Sequence, residues 1–333
     1  MPNAKLTIDL DAIADNWRAL DAKTGPQVET AAVVKANAYG LGVKSVAPAL
    51  LDAGAKTFFV ATPDEGVELR QILGPDPRIF VFSGYFSADG EAYEEFGLTP
   101  FLNSAEQVMH HIADRPGAEC GLQLDSGMNR LGMEAAEVST LMFHLPALRV
   151  KLVMSHLACA DDAGHVMNNA QLVAFSTLSA VFPLTPKSLS ATGGCLLGPM
   201  YHFNMTRPGI GLYGGAPFTE AKPVVKLELP VLQTRTVLPG EAVGYGATWV
   251  AKRPSTIATL GAGYADGILR HIKAPASVFA GEAPCPLVGR VSMDLIAADV
   301  TGVAEVPQMM EILNATQTID VLAETAGTIG YEI

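Results

Sequence analysis

Basic residues are scarce in this chain. It carries 22 Lys and Arg against 34 Asp and Glu, a formal charge of −12 at pH 7. An acidic chain offers no electrostatic footprint for nucleic acid or an anionic membrane. Any anion it binds must be held by a local site against the overall field. Cysteine is sparse as well. The four cysteines, at 120, 159, 195 and 285, show no C-x-x-C spacing and no Cys/His cluster. That pattern speaks against a zinc site and a disulfide framework, and for reduced thiols. The pair Asp161-Asp162 lacks the partner ligands a metal needs, so no metal is expected. The longest apolar runs fall well short of a membrane span. Met1-Pro-Asn-Ala-Lys5 lacks the apolar segment of a signal peptide, and a cytoplasmic location is expected. Internal repeats, low-complexity tracts and long linkers are absent too.

What is abundant is apolar. Hydrophobic residues make up 49% of the 333 and charged residues 17%, which supports a large core in one large domain or two. Leu6 to Leu10 is strand-like, and Asp11 can N-cap a helix carrying Ile13, Trp17 and Leu20 at helical spacing. Ala31 to Val34 reads as a buried strand that delivers Lys35, with Asn37, Tyr39, Gly40 and Gly42 in a following loop. Val43 to Ala53 reads as a helix closed by Gly54. Strands at Thr57 to Ala61, Arg78 to Phe82, Gly121 to Leu124 and Val150 to Met154 alternate with helices. Those helices open at Pro63, Ser104, Ala135 and Asn168. Ser188 to Ala191 and Met205 to Gly211 look like the last strand ends. Such alternation implies a parallel sheet with helical crossovers, and about eight units suggest a (β/α)8 TIM-type barrel over residues 1–222. The first strand is free to pack on the C-terminal domain instead. From Lys222 helical spacing gives way to apolar/polar alternation and glycine turns. Residues 223–333 therefore read as a second, mainly β domain.

In a barrel of this kind catalytic groups sit at strand C-termini, where Lys35, Arg130, His156, Thr192 and Arg207 fall. A lysine buried at a strand end loses the charged form and becomes a nucleophile toward carbonyls, as in Schiff-base chemistry. It can equally snorkel to water. Gly209-Ile-Gly-Leu-Tyr-Gly214 matches G-x-G-x-x-G, but no long helix follows, so a dinucleotide fingerprint is set aside. Backbone N–H groups approaching a single phosphate fit those glycines better. Arg130, in Asp125-Ser-Gly-Met-Asn-Arg-Leu-Gly132, suits a carboxylate or phenolate; an ion pair with Asp125 is the other reading. His156 is either a site histidine or a hydrogen-bonded core group. Tyr264, in Leu260-Gly-Ala-Gly-Tyr-Ala-Asp-Gly267, is a general base only beside a cation, and otherwise a turn tyrosine. Val288-Gly-Arg-Val-Ser-Met-Asp294 reads as a strand pair around Met293. The Met293 backbone N–H is a candidate for a substrate carboxylate, with edge-strand packing as the alternative.

In order along the chain, these segments resemble alanine racemase, the fold-type III pyridoxal-phosphate family. The resemblance runs through Ile8-Asp-Leu-Asp-Ala12, Val34-Lys-Ala-Asn-Ala-Tyr-Gly-Leu-Gly42, Phe59-Val-Ala-Thr-Pro-Asp-Glu-Gly66 and Asp125 to Gly132. It continues in Ser155-His-Leu-Ala158, Arg207-Pro-Gly-Ile-Gly-Leu-Tyr-Gly214, Gly263 to Gly267 and Val288 to Asp294. It implies that Lys35 holds pyridoxal 5'-phosphate and is one of two bases. Tyr264 is then the opposing base, reached from the second subunit of a homodimer. Arg207 matches the arginine on the pyridine nitrogen, and His156 the histidine linking it to the tyrosine. Arg130 and Met293 match substrate-carboxylate contacts. Tyr39, Thr192, Gly209 and Ile210 match cofactor contacts, mainly at the phosphate. The implied function is L-alanine to D-alanine interconversion, supplying peptidoglycan.

This chain departs from the family in three places. Ser190-Ala-Thr192 stands where many members have Ala-Asn-Ser. Gln123 stands where several have a carbamylated lysine; it is expected to accept a bond from Arg130 without supplying charge. The family usually continues past the position of Ile333 with a tyrosine on the cofactor phosphate, so that contact is expected to be missing. A broad-specificity amino-acid racemase remains an alternative. So does a fold-type III decarboxylase, against which Arg207 and Ser292 count.

Overall fold

A computed structural model describes residues 3–333. The chain divides into two compact units, Leu10–Lys222 and residues 3–9 with Pro223–Ile333.

The larger unit is built on parallel strands. A seven-stranded sheet runs in chain order through Ala32–Val33, Thr57–Val60, Arg78–Val81, Thr99–Leu102, Glu119–Gln123, Arg149–Met154 and Lys187–Ser188. A separate parallel pair, Glu29–Thr30 with Met205–Thr206, closes the ring. Glu29–Thr30 leads directly into the first sheet strand, and Ala31 and Val33 donate to the carbonyls of Thr206 (2.9 Å) and Pro208 (3.0 Å). On its other side Met205–Thr206 meets the seventh strand through Asn204 N–H to Lys187 (3.0 Å) and Arg207 N–H to Ser190 (2.8 Å). Counting Glu29–Val33 as one interrupted strand, the circle has eight, and the barrel is closed.

Its interior is aromatic. Phe59, Phe80 and Phe101 come from successive strands and are fully buried, with Phe59–Phe80 centroids 5.2 Å apart and Phe59–Phe101 5.9 Å apart. Val33 and Met154 join the same cluster. Outside, helix Leu10–Ala22 buries Ile13, Trp17 and Leu20, the face its spacing predicts. Asp11 is not its N-cap, because the helix opens at Leu10. The carboxylate sits in the first turn instead, where the helix dipole favours it. Helix Val43–Ala53 ends at Gly54 as expected. Asn16 links this helix layer to the end of the unit, donating to the Lys222 carbonyl (2.9 Å) and accepting from its N–H (2.7 Å).

The second unit is an antiparallel sheet in the order Ala283–Pro286, Ser277–Ala280, Met309–Leu313, Val225–Val237, Ser255–Leu260, Ile296–Asp299. Lys5–Ile8 adds antiparallel to Val225–Glu228. Its core gathers Leu229, Leu260, Val278, Met310 and Ile312. The unit is mainly β, as expected, with one helix, Ile319–Ala326, capped by Thr318 and burying Leu322 in that core. One expectation fails here. The segment from Val288 to Asp294 is not a strand pair. It is an irregular turn leading to strand Ile296–Asp299, bent because its carbonyls are drawn to the Tyr264 turn rather than to a neighbouring strand.

Candidate active site

Lys35 lies just beyond the strand Ala32–Val33, at the barrel's C-terminal rim. The chain does not leave this strand in an ordinary loop. Ala36, Asn37 and Ala38 have φ near +52 to +55° and ψ near +48 to +53°, and Tyr39 has φ +55°. That is a turn of left-handed helix made without glycine, which costs roughly 1–2 kcal/mol per residue. Bonds from several directions hold it. Ala38 N–H donates to Val34 (2.9 Å), Gly40 N–H to Ala36 (2.8 Å) and Gly42 N–H to Asn37 (2.9 Å). The Asn37 side chain accepts from Val43 N–H at 2.7 Å. The turn swings the Tyr39 ring onto Tyr213, with centroids 4.6 Å apart, and Tyr213 Oη donates to the Val33 carbonyl at 2.9 Å.

Against the Tyr39 hydroxyl lies a cradle of small residues. Thr192 Oγ1 accepts from the N–H groups of Gly209 and Gly211, both at 3.1 Å. Having accepted twice, the hydroxyl keeps its own proton to donate. Gly209 is required by close approach, since a Cβ there would run into the Tyr39 hydroxyl. Ile210 follows, buried, at the start of the short turn Ile210–Tyr213.

Arg207 is buried. It donates from Nη1 to Ser188 Oγ and from Nη2 to the Ser155 carbonyl (2.7 Å), and it lies 6.0 Å over the Phe59 ring. Burial pulls it down to about 10, so it stays cationic at neutral pH. Beside Ser155 is His156, held down to about 3 by burial first and then by the charges of Arg207, Arg130 and Lys35. Its imidazole is therefore neutral at pH 7. The Lys35 amine is lowered by burial and by Arg130, with Glu65 opposing. These interactions place Lys35, Arg130, His156 and Arg207 in one neighbourhood, although Arg130 itself is exposed.

The Arg130 loop has its own fastening. Asp125 does not pair with Arg130; its Oδ1 accepts from Gly127 N–H (2.7 Å) and Met128 N–H (2.9 Å). Gln123 does not serve as the expected acceptor for Arg130 either. Its Nε2 donates to the Leu131 carbonyl at 2.9 Å, which commits the buried amide to the loop backbone.

In the second unit Tyr264 and Met293 are neighbours. Tyr264 N–H donates to Ser292 (3.0 Å) and Ala265 N–H to Met293 (2.9 Å). Gly263 permits this approach, because a Cβ would strike both carbonyls. Both side chains are exposed, Tyr264 by 41% and Met293 by 54%.

Several residues of the barrel site drew no role from the sequence, although Ser126, Ser155 and Glu65 lie within the segments quoted above. Gln171, buried on helix Val166–Leu178, donates to the His156 carbonyl (2.9 Å) and accepts from Ala158 N–H (2.8 Å). Ser126 and Ser155 hydroxyls meet at 2.7 Å. Glu65 bonds two backbone N–H groups near Lys35. A buried Gln or Ser is common, and only three-dimensional contacts give these a role. Among the described residues no cluster of three or more His, Cys, Asp or Glu could hold a metal, and no helix is long and apolar enough to cross a membrane.

A closed barrel that collects an amine and cations in partly desolvated positions at its strand C-termini is built as an enzyme, and the amine suits it to carbonyl chemistry. Known proteins give the family. The N-terminal domain of alanine racemase matches residues 8–217, and the C-terminal domain of alanine racemase matches residues 224–333. The chain belongs to the alanine racemase family. It is 56% identical over 333 residues to an alanine racemase of Cereibacter sphaeroides, covering 100% of this chain and 95% of that one. Among solved structures, the alanine racemase of Bartonella henselae with covalently bound pyridoxal phosphate superposes with a TM-score of 0.93 at 36% identity, covering 100% of this chain and 96% of that one. The biosynthetic alanine racemase of Pseudomonas aeruginosa gives 0.93 at 35% identity, with the same coverage.

Proposed function

We propose that this protein interconverts L-alanine and D-alanine with pyridoxal 5'-phosphate, using Lys35 and Tyr264 as bases on opposite faces of the substrate. The observation that carries the reading is the partly desolvated Lys35 amine with Arg130 beside it, on a turn whose Tyr39 hydroxyl lies against Gly209 of the Thr192 cradle. The barrel residues fit the cofactor. Thr192 has a proton to donate, and Gly209 leaves room against Tyr39. Arg207 has more N–H donors than its two wall bonds use. Lys35 would hold the cofactor; Thr192, Gly209, Ile210 and Tyr39 would meet its phosphate end, and Arg207 its ring nitrogen. When bound, the cofactor supplies an electron sink for the substrate α-carbon.

The chain's own groups do the rest. Arg207 donates hydrogen bonds but holds its protons at neutral pH, so it would leave a cofactor ring nitrogen unprotonated. That limits delocalisation and disfavours side reactions. The exposed Arg130 guanidinium, with the Met293 backbone N–H, would take the substrate carboxylate. Lys35 would take a proton at Cα as the free amine, or return one as the ammonium, on one face, and Tyr264 would do so as phenolate or phenol on the other. Neutral His156 accepts or donates a hydrogen bond between Arg207 and the tyrosine without adding charge. In this reading Tyr264 and Met293 reach the site from a second copy of the chain in an isologous homodimer. The product serves peptidoglycan synthesis in the cytoplasm.

Purified protein supplied with pyridoxal phosphate should show the cofactor's visible band and form D-alanine from L-alanine. Lys35→Ala should lose the band and at least about 10³-fold in rate. Absence of the band in the wild-type protein, or no D-alanine, removes the reading.

A further inference from the structure

We propose that Glu65 is a positioning residue for Lys35: its carboxylate bridges the ends of two neighbouring barrel strands, fixes where the left-handed turn begins, and sets a negative charge near the amine. The proposal rests on the reading of Lys35 as the catalytic lysine.

The geometry is that of a ladder continued by a side chain. The parallel strands Ala32–Val33 and Thr57–Val60 pair Ala32 with Phe58 and Val33 with Phe59. The last main-chain rung is Val34 N–H to the Phe59 carbonyl, at 2.9 Å. Beyond it the strands part, and two N–H groups lose their partners. One belongs to Ala36, the residue after Lys35, and the other to Ala61. Glu65 takes both: Oε1 accepts from Ala36 at 2.7 Å and Oε2 from Ala61 at 2.7 Å. The Ala61 carbonyl meanwhile accepts from Ser83 N–H at 3.0 Å, so Ala61 is tied to the next strand as well. Glu65 thus fastens the Lys35 turn to the barrel wall.

Its place on the helix explains how it reaches. Thr62 caps Pro63–Leu73 and accepts from Glu65 N–H. In Thr62-Pro-Asp-Glu65 the usual capping box would return the glutamate to the Thr62 N–H. Here the carboxylate passes that group and bridges Ala61 and Ala36 instead. A glutamine cannot replace it, because one end of its amide would set N–H against N–H. The charged groups around the Lys35 amine are then Arg130, which raises the share of neutral amine, and Glu65, which restrains it. The neutral His156 lies in range of both Lys35 and Arg207.

The test uses two readouts on the full-length protein. The first is competitive labelling of Lys35 by an amine-selective anhydride, read by mass spectrometry on cofactor-free protein. Loss of the negative charge in Glu65→Gln should speed labelling at pH 7 about threefold. Glu65→Asp and Glu68→Gln, an exposed position on the same helix, should label like wild type. The second is amide hydrogen exchange, where Ala36 and Ala61 should exchange at least about tenfold faster in Glu65→Gln. Equal labelling of Lys35 in wild type and Glu65→Gln, or an unchanged Ala36 amide, overturns the proposal. Should Glu65→Gln not fold, Glu65→Asp carries the exchange arm. One methylene shorter, it should leave one of the two amides unprotected, and full protection of both overturns the proposal. A wild-type protein without racemase activity removes the function assigned to Lys35. It does not alter the labelling and exchange comparison, so the two failures are told apart.

Discussion

The two units present their candidate groups in opposite ways. On the barrel, Lys35, His156 and Arg207 are wholly or partly desolvated, their titration is displaced, and the backbone beside Lys35 is strained and tied from several sides. On the second unit, Tyr264 and Met293 stand on an unstrained glycine-framed turn with 41% and 54% of their surface exposed. One half is preorganised within its own unit. The other offers two side chains on an open face. Preorganised electrostatics need a dry, fixed environment, and in this chain only the barrel half supplies one. The proposed homodimer gives the second half its use.

The comparison breaks first at Tyr264. Tyr264→Phe should lower racemisation about 10²–10⁴-fold in both directions while the cofactor's visible band persists. Unchanged turnover would leave the exposed half with no chemical role. Next is the desolvated half. His156 binds a proton more weakly folded than unfolded, so its contribution to stability is complete above the unfolded value near 6.5 and declines as pH falls toward about 3. The wild-type unfolding free energy should therefore drop more steeply between those limits than that of His156→Gln, by a difference of a few kcal/mol. Parallel pH profiles would deny that His156 is held neutral by burial and its cationic neighbours. The smallest effect is expected at the strained turn. Ala36→Gly should remove the left-handed penalty at an exposed position, giving a gain of about 1 kcal/mol or less after the extra flexibility of the unfolded chain is counted. A loss of stability would show that the turn is not strained there.

Much of the barrel is written in local patterns. The Val43–Ala53 helix and its Gly54 stop follow directly from apolar spacing and a glycine, and the Ser104 cap is visible in one residue. The strand Thr99–Leu102 is harder to read, because Pro100 lacks the N–H a central strand uses. Helix Ile319–Ala326 does carry helical spacing at Ile319, Leu322, Ala323 and Ala326, but it is a single short helix among β segments. The turn after Lys35 has little local signal. Of Ala-Asn-Ala-Tyr only Asn37 tolerates the left-handed region readily, and bonds within the turn and to Val34, Val43 and Glu65 make it hold. Glu65 itself hides inside what looks like a simple cap. Gln123 misleads for the opposite reason: its oxygen suits Arg130, but the fold uses its amide N–H, which donates to the Leu131 carbonyl.

The phenylalanine layer of Phe59, Phe80 and Phe101 fills the barrel beneath Arg207. A barrel so filled has no back exit. Whatever enters the strand-end site must leave by the way it came, so alanine of either hand shares one doorway. A molecule lodged there would slow both directions of the reaction alike.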